Sequence, residues 1–138
     1  MKKIMLGNDL EICRILNGMW QVAGGHGQIN SESAIKDMQR YQELGFTTWD
    51  LADIYGPAES LIGEFSKKNE YDFQAFTKFV PNPGPMSNSI VTHYIDESLK
   101  KMNTDCIDLL QFHWWDYQDS SYLDALKHLS KLQNEGKI

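Results

Sequence analysis

The hydrophobic pattern of this 138-residue chain switches repeatedly between a two-residue and a three-to-four-residue period. That switching is the sequence mark of strands alternating with helices. Residues 3 to 17 predict a β-hairpin, with Gly7-Asn8-Asp9 as turn chemistry between the runs IML and LEICRIL. Arg14 to Asn17 continue toward a first interior strand, and Gly24-Gly25-His26-Gly27 predicts a flexible loop. Ser31 is placed as the N-cap of a helix carrying Ile35, Met38, Tyr41 and Leu44, which Gly45 stops.

Three more units repeat this order. Phe46 to Trp49 are aromatic and β-branched and predict a strand that ends at Asp50. Tyr55 and the turn pair Gly56-Pro57 follow, then a short helix over 59 to 67 with Leu61, Ile62 and Phe65 on its apolar face. Residues 71 to 79 (YDFQAFTKF) predict a third strand ending at Lys78, and Pro81, Pro83, Gly84 and Pro85 punctuate the loop beyond it. Ser87 or Ser89 opens a long helix with Ile90, Val91, Tyr94, Ile95, Leu99 and Met102 on one face. Residues 106 to 112 (CIDLLQF) predict a fourth strand ending at His113. A last helix over 121 to 134 carries Leu123, Leu126, Leu129 and Leu132, and Lys137-Ile138 predicts the first step of a fifth strand. A hairpin followed by four βα units in strict alternation implies a parallel sheet with helices packed outside it.

Composition narrows the function classes. Thirteen basic and nineteen acidic residues give a formal net charge of -6, and the positive charges are scattered. No basic stripe exists to hold a phosphate backbone, so nucleic acid is not an expected partner. No apolar run approaches membrane-spanning length. Cys13 and Cys106 both lie in apolar, strand-like runs and are expected to be buried, reduced thiols. A cytoplasmic protein with no membrane partner is the simplest expectation.

Candidate chemistry collects just past the strands: Trp20, then Asp50 with Tyr55, then Lys78, then His113. In α/β folds that end of the sheet is where side chains converge on an open crevice. Taken singly, each residue has an ordinary role, as a turn cap, a loop aromatic, a solvated charge or a hydrogen-bonded histidine. Taken jointly they form a pattern. Asp50, Asp53, His113 and Asp116 could be grouped as metal ligands, but no His-x-His or His-Glu-x-x-His spacing supports that, and no metal is expected. Gly24 to Gly27 lacks the spacing of a dinucleotide or phosphate loop. His26, His93 and His128 have no evident partners and are expected at the surface.

The stretches GFTTWDLADIYG with Glu59 and Ile62-Gly63, then FTKF, then DLLQFHWWD, resemble the aldo-keto reductase family over essentially the whole chain. The family's catalytic Asp, Tyr, Lys and His fall on Asp50, Tyr55, Lys78 and His113. The resemblance implies a parallel (β/α)8 barrel of TIM type, of which residues 1–138 would supply the N-terminal half: four βα units behind a hairpin. It also implies hydride transfer between NADP(H) and the carbonyl of an aldehyde or ketone. Gly18, Met19, Trp20 and Asp50 would lie near the nicotinamide and its ribose, with Trp20 and Asp50 the strongest cofactor candidates. In that mechanism Tyr55 is the acid that protonates the nascent alkoxide. The Lys78 ammonium stabilises phenolate charge, Asp50 holds the lysine, and His113 orients the substrate oxygen. Trp114 and Trp115 are candidate walls of the substrate pocket.

In related reductases most contacts to the adenosine and phosphates come from the second half, so NAD(H) stays open beside NADP(H). A half-barrel on its own is expected to be inactive or nearly so. It would expose two unpaired sheet edges, closed either by a second copy in a homodimer or by a chain supplying the second half. The alternative function is a non-catalytic binding or regulatory module that associates with a full-length reductase or another partner.

Overall fold

The computed structural model describes residues 1–25, 27, 29–68 and 70–138. Strands β1 (Lys3–Leu6) and β2 (Leu10–Cys13) form the expected antiparallel hairpin, with Lys3 opposite Cys13 and Leu6 opposite Leu10. Cys13 fastens it to the main sheet. Its backbone N–H donates to Thr48 Oγ1 (2.9 Å) and its thiol lies 3.3 Å from the carbonyl oxygen of Gly45. The hairpin therefore sits at the end of the sheet where the interior strands begin.

The main sheet has the order β3-β4-β5-β6, every neighbouring pair parallel. Its strands are β3 (Asn17–Gly18), β4 (Thr48–Asp50), β5 (Gln74–Phe79) and β6 (Leu109–Phe112). The helices α1 (Ser31–Glu43), α2 (Ala58–Lys68), α3 (Asn88–Met102) and α4 (Tyr122–Asn134) follow these strands in turn. The predicted hairpin and the strict βα alternation are both present.

Alternate residues of each strand point to opposite faces. Trp49 and Ala75 pack with Ile35 and Met38 of α1 and Leu61, Ile62 and Phe65 of α2 in one core cluster. Phe79 packs with Val91 and Ile95 of α3 and Leu129 and Leu132 of α4 in a second. The helices thus cover one face. The same alternation turns Asp50, Phe76, Lys78 and Gln111 toward the other, and register sets Asp50 beside Phe76 and Lys78 beside Gln111.

Several boundaries and faces differ from expectation. The cap of α1 is Asn30, whose side chain accepts from the Ser33 backbone N–H (2.9 Å); Ser31 is the first helical residue. The third and fourth strands begin three residues later than predicted, at Gln74 and Leu109. Before β6 the chain is held in a turn by Thr104, whose hydroxyl donates to the carbonyl of Cys106 (2.9 Å). Cys106 is consequently exposed, which corrects the expectation of two buried thiols; Cys13 is buried.

On α4, Leu123 and Leu126 are exposed while Ala125, Leu129 and Leu132 are buried. On α1, Tyr41 and Leu44 are likewise exposed while Ile35, Met38 and Gln42 are buried. Residues spaced strictly by three drift around a helix of 3.6 residues per turn, so the buried stripe steps by three and four instead.

Lys137 is not in a strand, but its carbonyl accepts from Ile107 N–H (3.0 Å), which brings this segment alongside the start of β6. The glycine loop follows a single 3₁₀ turn, Trp20–Ala23, and Gly24 takes a left-handed φ of 92°. His26 lies outside the described residues. His93 is exposed and His128 partly so. Among the described residues no helix is long and apolar enough to cross a membrane.

Candidate active site

At the C-terminal edge of the sheet, parallel pairing continues past the strand ends and fixes the loops. Met19 N–H donates to the Asp50 carbonyl (2.9 Å), Leu51 N–H to Phe76 (2.8 Å), Asp53 N–H to Lys78 (3.1 Å) and His113 N–H to Phe79 (2.9 Å). Each donor bonds a neighbouring strand or the residue just past one. The side chains between them are therefore held by backbone on both sides.

Lys78 reaches up from β5, half shielded from solvent. Its Nζ donates to Asp50 Oδ1 (2.7 Å) and to the Leu51 carbonyl (2.7 Å). The lysine and aspartate side chains keep 15% and 27% of their exposure, enough shielding to make the ion pair stronger than a fully solvated one. The same Nζ lies 5.0 Å from the centre of the Tyr55 ring, a cation–π arrangement. The exposed indole of Trp20 meets Tyr55 edge to face, centroids 5.0 Å apart at 74°. Asp50, Lys78, Tyr55 and Trp20 thus form one continuous contact chain drawn from three strand ends.

His113 stands to one side. It is exposed, and its ring stacks on Trp115 at 4.1 Å and 28°. Its recorded bonds lead to Phe79 and Trp115, not to Asp50, Tyr55 or Lys78. The two candidate wall residues separate as well. Trp115 is exposed beside the site, whereas Trp114 is buried in the core, its Nε1 donating to the carbonyls of Asp116 (2.7 Å) and Asp119 (3.1 Å). Met19 is also a core residue, packed against the helices. A Cβ at Gly18 would meet nothing within 4 Å, so the space immediately over β3 is open.

Gln111 is a residue of the site that the sequence did not single out, and Asp53, grouped there only with metal candidates, has another role. Gln111 Nε2 donates to Asp50 Oδ1 (2.9 Å). Asp53 grips the end of β5: its N–H bonds the Lys78 carbonyl and its Oδ2 accepts from Val80 N–H (3.0 Å). Burial pushes the Asp53 carboxyl up, the Val80 N–H pulls it back and the nearby Glu59 adds to the rise. Beneath the site, Glu59 is buried, accepts from Thr77 Oγ1 (2.8 Å) and lies 3.5 Å from Lys101 Nζ. That ties α2 and α3 to the strand bearing Lys78.

The four residues weighed as metal ligands do not converge. Asp116 accepts from the Gln118 N–H, Asp53 from Val80 and Asp50 from Lys78 and Gln111. Among the described residues no group of three or more His, Cys, Asp or Glu is placed to hold a metal ion.

A model of the aldo/keto reductase family matches residues 14–138. An aryl-alcohol dehydrogenase of Pestalotiopsis microspora is 30% identical over 89% of this chain and 35% of its own length. A 6-dehydroglucose reductase of Agrobacterium fabrum is 29% identical over 99% of this chain and 53% of its own. Among solved structures, a thermostable aldo-keto reductase in complex with the inhibitor epalrestat superposes with a TM-score of 0.84 at 24% identity. It covers all of this chain, which spans 52% of that structure. The holo form of an aldo-keto reductase of Bacillus halodurans gives 0.81 at 25% identity, with this chain spanning 48% of it. The chain therefore spans about a third to about a half of the relatives it matches.

Proposed function

The chain belongs to the aldo/keto reductase family, and on that premise we propose that it contributes the proton-handling half of an oxidoreductase site acting between NADP(H) and an aldehyde or ketone. The observation that carries this reading is the Lys78 ammonium, bonded to Asp50 at 2.7 Å and set over the Tyr55 ring at 5.0 Å. Tyr55 is the acid that gives its phenolic proton to the alkoxide oxygen when a carbonyl is reduced. Lys78 places positive charge beside the phenolate left behind, and Asp50 keeps that charge in position. His113, exposed at the edge of the site, donates a hydrogen bond to the substrate oxygen.

The residues present fit a nicotinamide cofactor: an exposed indole at Trp20, open space over Gly18, and an Asp50 oxygen, Oδ2, with no hydrogen bond among the described residues. When bound, the cofactor supplies or takes up the hydride. Trp20 and Asp50 are the cofactor contacts of this reading, and NAD(H) is the other form to be tried. Trp115 walls the carbonyl substrate. The names of the relatives, an aryl-alcohol dehydrogenase and a sugar-type reductase, make small carbonyl compounds the class to assay. The edges at β3 and β6 are paired on one side only within the described sheet. Closure by a second copy or by the other half of a barrel belongs to the same proposal.

The test is a titration with NADPH, followed by tryptophan fluorescence. Saturable quenching is expected, because Trp20 is exposed against Tyr55. Tyr55→Phe should keep that quenching and lower aldehyde turnover by roughly 10²–10⁴-fold, the usual contribution of a general acid. Turnover that survives in Tyr55→Phe removes the acid from the mechanism. Absence of quenching leaves the chain as a binding module.

A further inference from the structure

We infer that Gln111 is a positioning residue of this site, the hold of β6 on the Asp50–Lys78 pair; the inference rests on the reading of that pair as functional. Asp50 Oδ1 accepts two N–H groups, from Lys78 Nζ at 2.7 Å and from Gln111 Nε2 at 2.9 Å. Gln111 is the register partner of Lys78 across β5 and β6, so the two side chains rise side by side on the same face. The lysine is tethered twice, at Asp50 and at the Leu51 carbonyl. Without Gln111 the carboxylate would have the lysine as its sole side-chain partner, and both ends of the pair could turn together.

The choice of an amide suits this task. A lysine ammonium is a compact charge on a flexible stem, so its position is set by what it is bonded to. A second cation at position 111 would compete with Lys78 for the carboxylate. An aliphatic side chain would leave Oδ1 one donor short in a partly desolvated layer, where a missing hydrogen bond costs more than it does in water. A neutral N–H donor fixes the carboxylate and leaves the formal charge of the pair at zero. Because both donors share Oδ1, Oδ2 is left without a hydrogen bond among the described residues.

The experiment is solvent exchange of side-chain N–H protons by nitrogen-15 NMR, with no cofactor present. In the unmodified chain, the Gln111 Nε2 protons are expected to exchange about tenfold more slowly than those of the exposed Gln118, the factor a charge-assisted hydrogen bond confers. Equal exchange at the two amides overturns the proposal and needs no variant. Gln111→Met keeps the length of the side chain without its donor. The Lys78 ammonium protons should then exchange several-fold faster, with the far-ultraviolet spectrum unchanged. A folded Gln111→Met chain whose Lys78 signal matches the unmodified one also overturns it. NADPH plays no part in either measurement, so failure here and failure of the proposed activity are separate results.

Discussion

Two carboxylates three residues apart, Asp50 and Asp53, are treated in opposite ways by the fold. Asp50 faces an ammonium and an amide, and its charge is compensated. Asp53 accepts the Val80 N–H at Oδ2, while its Oδ1 is buried with no hydrogen-bond partner among the described residues. Burial, with Glu59 nearby, raises the Asp53 pKa in the folded state above the usual aspartate value of about 3.9. Above the raised folded pKa the carboxylate is charged whether the chain is folded or unfolded, and burying it penalises the folded state. As pH falls through the raised folded pKa, the folded chain takes up the proton first and the penalty disappears. Asp53→Asn should therefore raise the melting temperature at pH 7, and the gain should shrink toward zero as pH approaches the usual aspartate value. Thermal melts across that range check it; a gain equal at all pH values would show that the charge is not its source. Sequence spacing singled out Asp50, Tyr55 and Lys78, because each lies at or just beyond the end of a strand. It offered Asp53, two residues before Tyr55 on the same loop, only as a metal candidate, and it passed over Gln111, two before His113. Their roles depend on register and on loop backbone bonds, which no single stretch contains.

At the scale of elements, the tightest surroundings of any glycine are at Gly63, where α2 meets α3. A Cβ at Gly63 would collide with the Lys101 carbonyl oxygen, a backbone atom that cannot swing aside. Gly63→Ala should destabilise the chain by about 3 kcal/mol, at the upper end for overpacking, because the helices must separate. Denaturant unfolding measures this. A loss within about 0.5 kcal/mol, the size of an ordinary surface change, would mean the pair yields easily. Separation would also strain the Glu59–Lys101 contact, so the effect should reach β5 through Thr77. Element identity and order were legible throughout, since period and turn residues agree in every unit. The buried stripe was less so. Leu123 and Leu126 have the spacing of a helix face, yet Ala125 occupies the buried position because the stripe continues to Leu129 and Leu132. Strand starts were overextended for a similar reason: apolar residues before β5 and β6 pack onto the core without entering the ladder, as Phe73 and Ile107 do.

At the scale of the molecule, four helices cover one face of the sheet, and an apolar groove of about 790 Å³ opens between β3 and α1. Ile15, Met19, Val22, Ile29, Met38 and Trp49 line it, and the buried Trp49 Nε1 has no hydrogen-bond partner among the described residues. Alternation of strands and helices announced the sheet, but not this groove. It exists because α1 has a neighbour, α2, on one flank only among the described elements, a relation fixed by topology. Apolar surface of this kind attracts apolar cover, and it lies beside the β3 edge, which is paired on one side only within the described sheet. An apolar dye tests this directly. Anilinonaphthalene sulfonate should bind the chain with saturable fluorescence at low protein concentration. Ile15→Glu should reduce the signal, since Ile15 lines the groove yet is 57% exposed and dispensable to the core. If a second copy closes the face, the signal per chain falls as protein concentration rises while sedimentation reports a larger species. A dye signal proportional to chain concentration over the whole range would remove the second copy as the cover.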